Sequence, residues 1–168
     1  MLSEELVRVV IERGIQSPIK MAVDAGHWPA ALVLTYSAID TMAFLHMPAE
    51  KTDVMRSDFI AWAERYLTDA FREEISGRDL YATRCSVLHG GAQSRLSRGG
   101  ECRVISHADT EQLGAGAFRV GVQEIVGTVF AGIERFLEEV KSDPSRAAVV
   151  NARLRYLVSA MPYREDGT

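Results

Sequence analysis

The sequence predicts an all-α fold: a single-domain bundle of five to six helices over residues 1–168. Three observations carry this. Apolar residues recur at helical spacing in almost every segment, prolines and glycines fall between those segments, and only "SRLSRGGECRVISH" has strand character. The length is about one domain's worth, and 47% hydrophobic with 25% charged residues is an ordinary globular balance. Neither an internal repeat nor a low-complexity linker divides the chain.

The first helix is expected from Ser3, a capping residue, with Glu4 and Glu5 in its positively polarised first turn. Leu2, Leu6, Val9 and Val10 then repeat at helical spacing as far as Gly14, and Pro18 can open a second short helical piece. Pro29 suits the first position of the next helix, "AALVLTYSAIDTMAFL", which is apolar around most of its circumference and therefore expected to be central. Asp53 is the expected cap of "VMRSDFIAWAERYLTDAF", where Met55, Phe59, Trp62, Ala63 and Tyr66 form one apolar stripe. After the turn at Ser76-Gly77, "RDLYATRCSVLH" reads as a helix with Leu80, Tyr81, Cys85 and Leu88 toward one side, stopped by Gly90-Gly91. "SRLSRGGECRVISH" fits a loop or a small hairpin. Helical periodicity resumes through Val122, Ile125, Val126, Val129, Ile133, Phe136 and Leu137, and Asp143 with Pro144 opens a last helix.

The longest apolar run, Ala30 to Ile39, is short of the ~20 residues a membrane span needs, so no membrane association is expected. The first residues carry acids rather than a basic leader, and two cysteines do not make a disulfide scaffold, so the expected location is cytoplasmic. A net charge of -4 gives no overall basic face for nucleic acid. Locally, Arg84, Arg95, Arg98 and Arg103 face only Glu101 between residues 84 and 103, which makes this the stretch where a phosphate partner would meet the chain.

Motif chemistry is sparse. "GAGAFRVG" places Gly114, Gly116 and Gly121 off the dinucleotide spacing and behind no strand, so its glycines are read as packing or helix-start residues and no cofactor is expected. Cys85-x3-His89 and Cys102-x4-His107 have about the internal spacing of zinc ligands, but a chain with its own core does not need a structural metal, and none is expected. Cys85 and His89 as thiol and base lack an orienting third group. Arg84 and His89 remain. Five positions on an ideal helix put them about 140° apart around the axis and ~7.5 Å along it, so they converge only where the helix loosens at its end or where a cleft lies between their directions. Otherwise Arg84 is free to pair with Asp40 or Asp79 while His89 bonds a terminal carbonyl.

The stretch "DLYATRCSVLHGG" resembles the signature helix of the HEPN superfamily, an arginine and a histidine separated by four to six residues in an all-α bundle. "YSAIDTMAFL" and "RSDFIAWAERYL" are similar to the two helices that precede that motif, so the resemblance covers Ala30 to Gly91. It implies a homodimer whose Arg84 and His89 line a shared cleft, and a metal-independent endoribonuclease activity. Arg84 would hold the scissile phosphate, His89 would move protons to and from ribose oxygens, and Asp40 would orient one of them. RNA contacts would fall to Arg95, Arg98 and Arg103, in a defence or toxin-like setting with a regulatory antitoxin-like protein as a further partner. Cys85 stands where many active members carry a polar residue, and Gly91 where modification-silenced toxins carry a tyrosine. Other members of the superfamily are non-catalytic modules that dimerise or bind a nucleotide or protein, which is the alternative expectation.

Overall fold

The computed structural model describes residues 1–71, 74–89, 102, 104–107 and 117–160. They form a mostly helical bundle. Helix α1 (Glu4–Val7) continues through a π-helical stretch (Arg8–Gln16) into α2 (Ser17–Asp24) as one rod. Ser3 caps it, with its hydroxyl accepting from the Leu6 N–H at 3.4 Å. The rod runs through Gly14 without a break, and Pro18 stands in the first turn of α2, the short helical piece it is expected to open. Pro18 lacks an N–H, and its ring is incompatible with regular α-helical packing against the Gly14 carbonyl. The widened turns lie immediately before it, where the Ser17 N–H reaches back five residues to the Glu12 carbonyl. Gly26, at φ 71°, supplies the left-handed turn that ends the rod.

Helix α3 (Trp28–His46) is central, but only half of it is covered. Ala31, Thr35, Ala38, Ile39, Met42 and Leu45 are buried, whereas Ala30, Val33, Leu34 and Ser37 are exposed. At about 100° per residue the two sets occupy opposite halves of the helix. By length and composition α3 could also cross a membrane, because residues flanking Ala30–Ile39 extend the apolar run. Here its buried half packs against α2, α4 (Arg56–Tyr66), α5 (Gly77–Leu88), α6 (Val122–Ser142) and α7 (Pro144–Ala160).

Two expected boundaries shift. Asp53 does not cap α4, for its carboxylate takes the Thr52 hydroxyl. The acid that closes this end is Asp58, three residues inside, which accepts the Met55 N–H at 2.8 Å and the Lys51 ammonium at 2.7 Å. Met55 is consequently exposed at the helix entrance, while Phe59, Trp62, Ala63 and Tyr66 enter the core as their stripe predicts. A 3-10 turn (Thr68–Phe71) then leads toward α5, where Ser76 and Asp79 cap each other's backbone. Gly77 is required there, since a Cβ would lie 2.8 Å from the Ile60 carbonyl. Gly132 does the same for α6, letting it approach Tyr66 and Leu67 of the α4 end.

Of the strand-like stretch, residues 94–101 and 103 lie outside the described residues, and its described end forms a strand. β1 (Val104–Ser106) pairs in parallel with β2 (Ala117–Arg119), with Ile105 opposite Phe118. "AFR" is therefore strand, and α6 begins after it at Val122, with Asp143 and Pro144 opening α7 as expected.

Arg153 of α7 is 8% exposed and ties the link between α3 and α4 to the bundle. Its guanidinium donates to the carbonyls of Leu45, Met47, Pro48 and Lys51. These carbonyls lie past the last turn of α3 or at its end, where no helical N–H remains to serve them. Arg153→Met keeps the stem and deletes the donors, and is expected to lower unfolding stability by about 2 kcal/mol, read from urea denaturation.

Candidate functional site

Arg84 and Asp40 come together across 44 positions of sequence. Asp40 lies on α3 and Arg84 on α5, and Asp40 Oδ2 accepts from Arg84 Nε at 3.0 Å and Nη2 at 2.9 Å. Both side chains are about a quarter exposed, at 24% and 30%, so the pair lines the surface without being washed by solvent. Burial works against the Arg84 charge, and the Asp40 carboxylate more than offsets it, so the guanidinium is held charged more firmly than usual. The Tyr81 ring sits 6.0 Å from the guanidinium carbon, and the Cys85 thiol adds a hydrogen bond. Asp79, the other acid within reach by sequence, instead accepts the Ser76 N–H and hydroxyl at its own helix start.

His89 is the residue that closes α5. Its backbone N–H bonds the Cys85 carbonyl at 3.1 Å, its φ and ψ have left the helical region, and its imidazole is exposed. Among the described residues the ring hydrogen-bonds neither Arg84 nor Asp40, nor any carbonyl. The structure thus pairs Arg84 with Asp40 and leaves His89 exposed at the loosened helix end, five residues on from Arg84. Arg95, Arg98 and Arg103 lie outside the described residues, as do Gly90, Gly91, Gly114 and Gly116.

A second constellation, with no signal in local spacing, lies one turn inward on α3. The Tyr36 hydroxyl meets His107 Nε2 at 2.9 Å, and His107 Nδ1 meets the Val120 carbonyl at 2.8 Å. A carbonyl only accepts, so Nδ1 carries the proton and Nε2 accepts from the tyrosine. Tyr36 is fully buried, and burial pushes its hydroxyl far above the usual value, against a weaker pull from the Thr83 hydroxyl. Burial likewise lowers His107, against a smaller upward pull from Val120. Both groups are therefore neutral, and they join α3 to the strand pair behind the Asp40–Arg84 pair. With both ring nitrogens engaged, His107 is not a zinc ligand in this arrangement. Cys85 is a free, half-buried thiol, and among the described residues no group of three His, Cys, Asp or Glu side chains could hold a metal.

A third cluster is electrostatic. Glu139 Oε2 accepts from Arg65, the Tyr66 hydroxyl and Arg146, which joins α4, α6 and α7. His46 packs edge-on against Tyr66 and Phe136 beside it, and is lowered by burial first and then by the Arg146 and Arg65 charges.

No family model matches the chain, and no curated protein and no solved structure matches it either.

His46 and His107 set a pH dependence. Both bind their protons less readily folded than in an unfolded chain, where a histidine titrates near 6.5. The unfolded state therefore takes up more protons as the pH falls through 6.5, and stability drops until the lower folded values are reached. The urea midpoint is expected to be lower at pH 5.5 than at pH 7.5, and His107→Gln should flatten that difference. An unchanged slope in the variant would count against a buried neutral His107.

Proposed function

We propose that this chain is a HEPN-like domain that cleaves RNA without a metal, using Arg84 and His89 from two copies in one dimer cleft. The observation that supports it most is an arginine held side-on by Asp40, five residues before an exposed histidine that ends the same helix. Asp40 uses only two N–H groups of the guanidinium, and those remaining suit a phosphate oxygen, where Arg84 stabilises the charge that builds as the phosphorus is attacked. A neutral His89 takes the proton of a ribose 2′-hydroxyl as the 2′-oxygen bonds to phosphorus. The partner's His89 returns a proton to the departing 5′-oxygen as the P–O5′ bond breaks. The products are a 2′,3′-cyclic phosphate and a 5′-hydroxyl. Asp40 fixes the Arg84 rotamer and acts through it, and Arg95, Arg98 and Arg103 supply further phosphate contacts.

Support for the homodimer comes from α3. Ala30, Val33, Leu34 and Ser37 form an exposed stripe, with Val33 and Leu34 39% and 36% exposed. Asp40 lies roughly 60° around the helix from Ser37, at the edge of that stripe. A two-fold packing of this face on itself would bring both Asp40–Arg84 pairs near the axis. The setting that fits such an enzyme is a cytoplasmic, defence or toxin-like system restrained by a regulatory protein.

Two predictions separate this from a non-catalytic module, a reading favoured by the engagement of Arg84 with an internal carboxylate. In EDTA, labelled single-stranded RNA should be cut by the wild type, with the rate reduced at least a hundredfold in Arg84→Ala and His89→Ala and about tenfold in Asp40→Asn. Retained cleavage in His89→Ala, or none by the wild type on several RNAs, sinks the nuclease reading. In light scattering, Leu34→Asp should convert a dimer into a folded monomer and abolish cleavage with it.

A further inference from the structure

A cavity of about 630 Å³ opens where the start of α3 meets the strand pair and the start of α6. Trp28, Pro29, Leu32, His107, Val122 and Gln123 line it, together with Gly121. None of these side chains carries a full charge, since His107 is neutral and both its nitrogens are occupied by Tyr36 and Val120. Among these described residues an anionic or cationic ligand would find no ion partner, which favours an occupant neutral in the part that meets them. Trp28 is 41% exposed at this cavity, an unusual position for a large ring that an interior could otherwise absorb. Among the described lining residues the only side-chain amide is Gln123, which both donates and accepts. The first N–H groups of α6, having no helical partner, favour an acceptor such as a ring carbonyl.

We propose that this cavity is a base-binding subsite, taking a neutral planar nitrogen heterocycle of the nucleobase class stacked on Trp28 and hydrogen-bonded by Gln123. The volume is ample for a single base with its sugar. Trp28 and Asp40 lie on the same helix twelve residues apart, or about 18 Å, so a short single-stranded segment joins the subsite to the Arg84–Asp40 pair. Aromatic stacking of splayed bases is how single strands are held with little regard to charge. Where the ring belongs to an RNA, the inference rests on the proposed nuclease. A free nucleoside or nucleotide has the same ring, and the experiment separates the two sources.

Trp28 and Trp62 are the two tryptophans, and Trp62 is fully buried, so quenching of exposed tryptophan emission reports on Trp28. The full chain carrying His89→Ala, which leaves RNA intact, is titrated with adenosine, uridine, a short single-stranded RNA and an abasic oligomer of equal length. Quenching by the RNA and not by the abasic oligomer is expected, and Trp28→Ala should weaken the anisotropy-measured RNA affinity about tenfold. Gly121→Leu tests the cavity without touching Trp28. A Cβ at Gly121 meets nothing within 4 Å, so the added bulk enters open space and should weaken binding similarly, with helicity checked by circular dichroism. Saturable quenching by nucleosides with no affinity for RNA supports the subsite and makes a free nucleotide its occupant. Equal binding of RNA and abasic oligomer, an unchanged affinity in Trp28→Ala, or no quenching by any probe overturns it. Wild-type cleavage with Trp28-independent binding sinks the subsite alone, and Trp28-dependent binding by a chain that never cuts RNA sinks the nuclease alone.

Discussion

Helix α3 is apolar around nearly its whole circumference, and the remaining helices cover only half of it. Burying one half fixes almost everything else. Thr35, Ile39 and Met42 face the helices behind, so Tyr36 and Asp40 must emerge along the border between the packed and the open halves. At that border Tyr36 meets Thr83 and His107, and Asp40 meets Arg84, so α5 and the strand pair are registered against α3 by polar contacts rather than by shape alone. Leu32 and Trp28, earlier on the same helix and further around it, line the cavity. Tyr36 and Asp40 thus share one helix edge, next to an apolar face left exposed.

The buried Tyr36 hydroxyl illustrates why the small sheet exists. A hydroxyl removed from water without a partner costs on the order of 1–3 kcal/mol, and a histidine buried with a free nitrogen costs as much again. Each satisfies the other, and the Val120 carbonyl completes the chain. His107 follows β1 directly and Val120 follows β2, so the parallel register of the two strands sets both ends of this hydrogen-bonded run. A hairpin would place these residues differently. Parallel pairing of two three-residue strands is weak alone, and its support comes from Ile105 and Val120 entering the core.

What was legible in the sequence was local. Ser3, Asp143 with Pro144, and Ser76 announce helix starts through a side-chain oxygen or a missing N–H, and such signals need no distant partner. Asp53 misled because a capping residue is recognised by type, whereas the acid that reached the Met55 N–H was the one inside the helix, which Lys51 also holds. Pro18 stands in the first turn of α2, as the sequence expects, and what the sequence does not announce is that widened turns carry the helix through Gly14 into it. Asp40 with Arg84 and Tyr36 with His107 are contacts across 44 and 71 positions, and no periodicity encodes them. The motif resemblance pointed to Asp40 and Arg84, whereas His107 stood out only for a zinc-like spacing to Cys102 and nothing pointed to Tyr36 or the Glu139 cluster.

A net charge of -4 bears on how an RNA would approach such a surface. Exposed charges farther apart than about 8 Å are largely screened at physiological salt, so the overall charge contributes little once a strand is near. What remains is short-range. The Asp40–Arg84 pair is almost neutral seen from a distance, and it offers a directed fork only to an acceptor that comes within hydrogen-bonding reach. Among the described residues that line it, the cavity at Trp28 presents no charged side chain. In the proposed enzyme, stacking and donor geometry would act beside the phosphate contacts assigned to Arg84, Arg95, Arg98 and Arg103, so affinity for a single strand should fall as salt is raised in proportion to the phosphates those arginines neutralise.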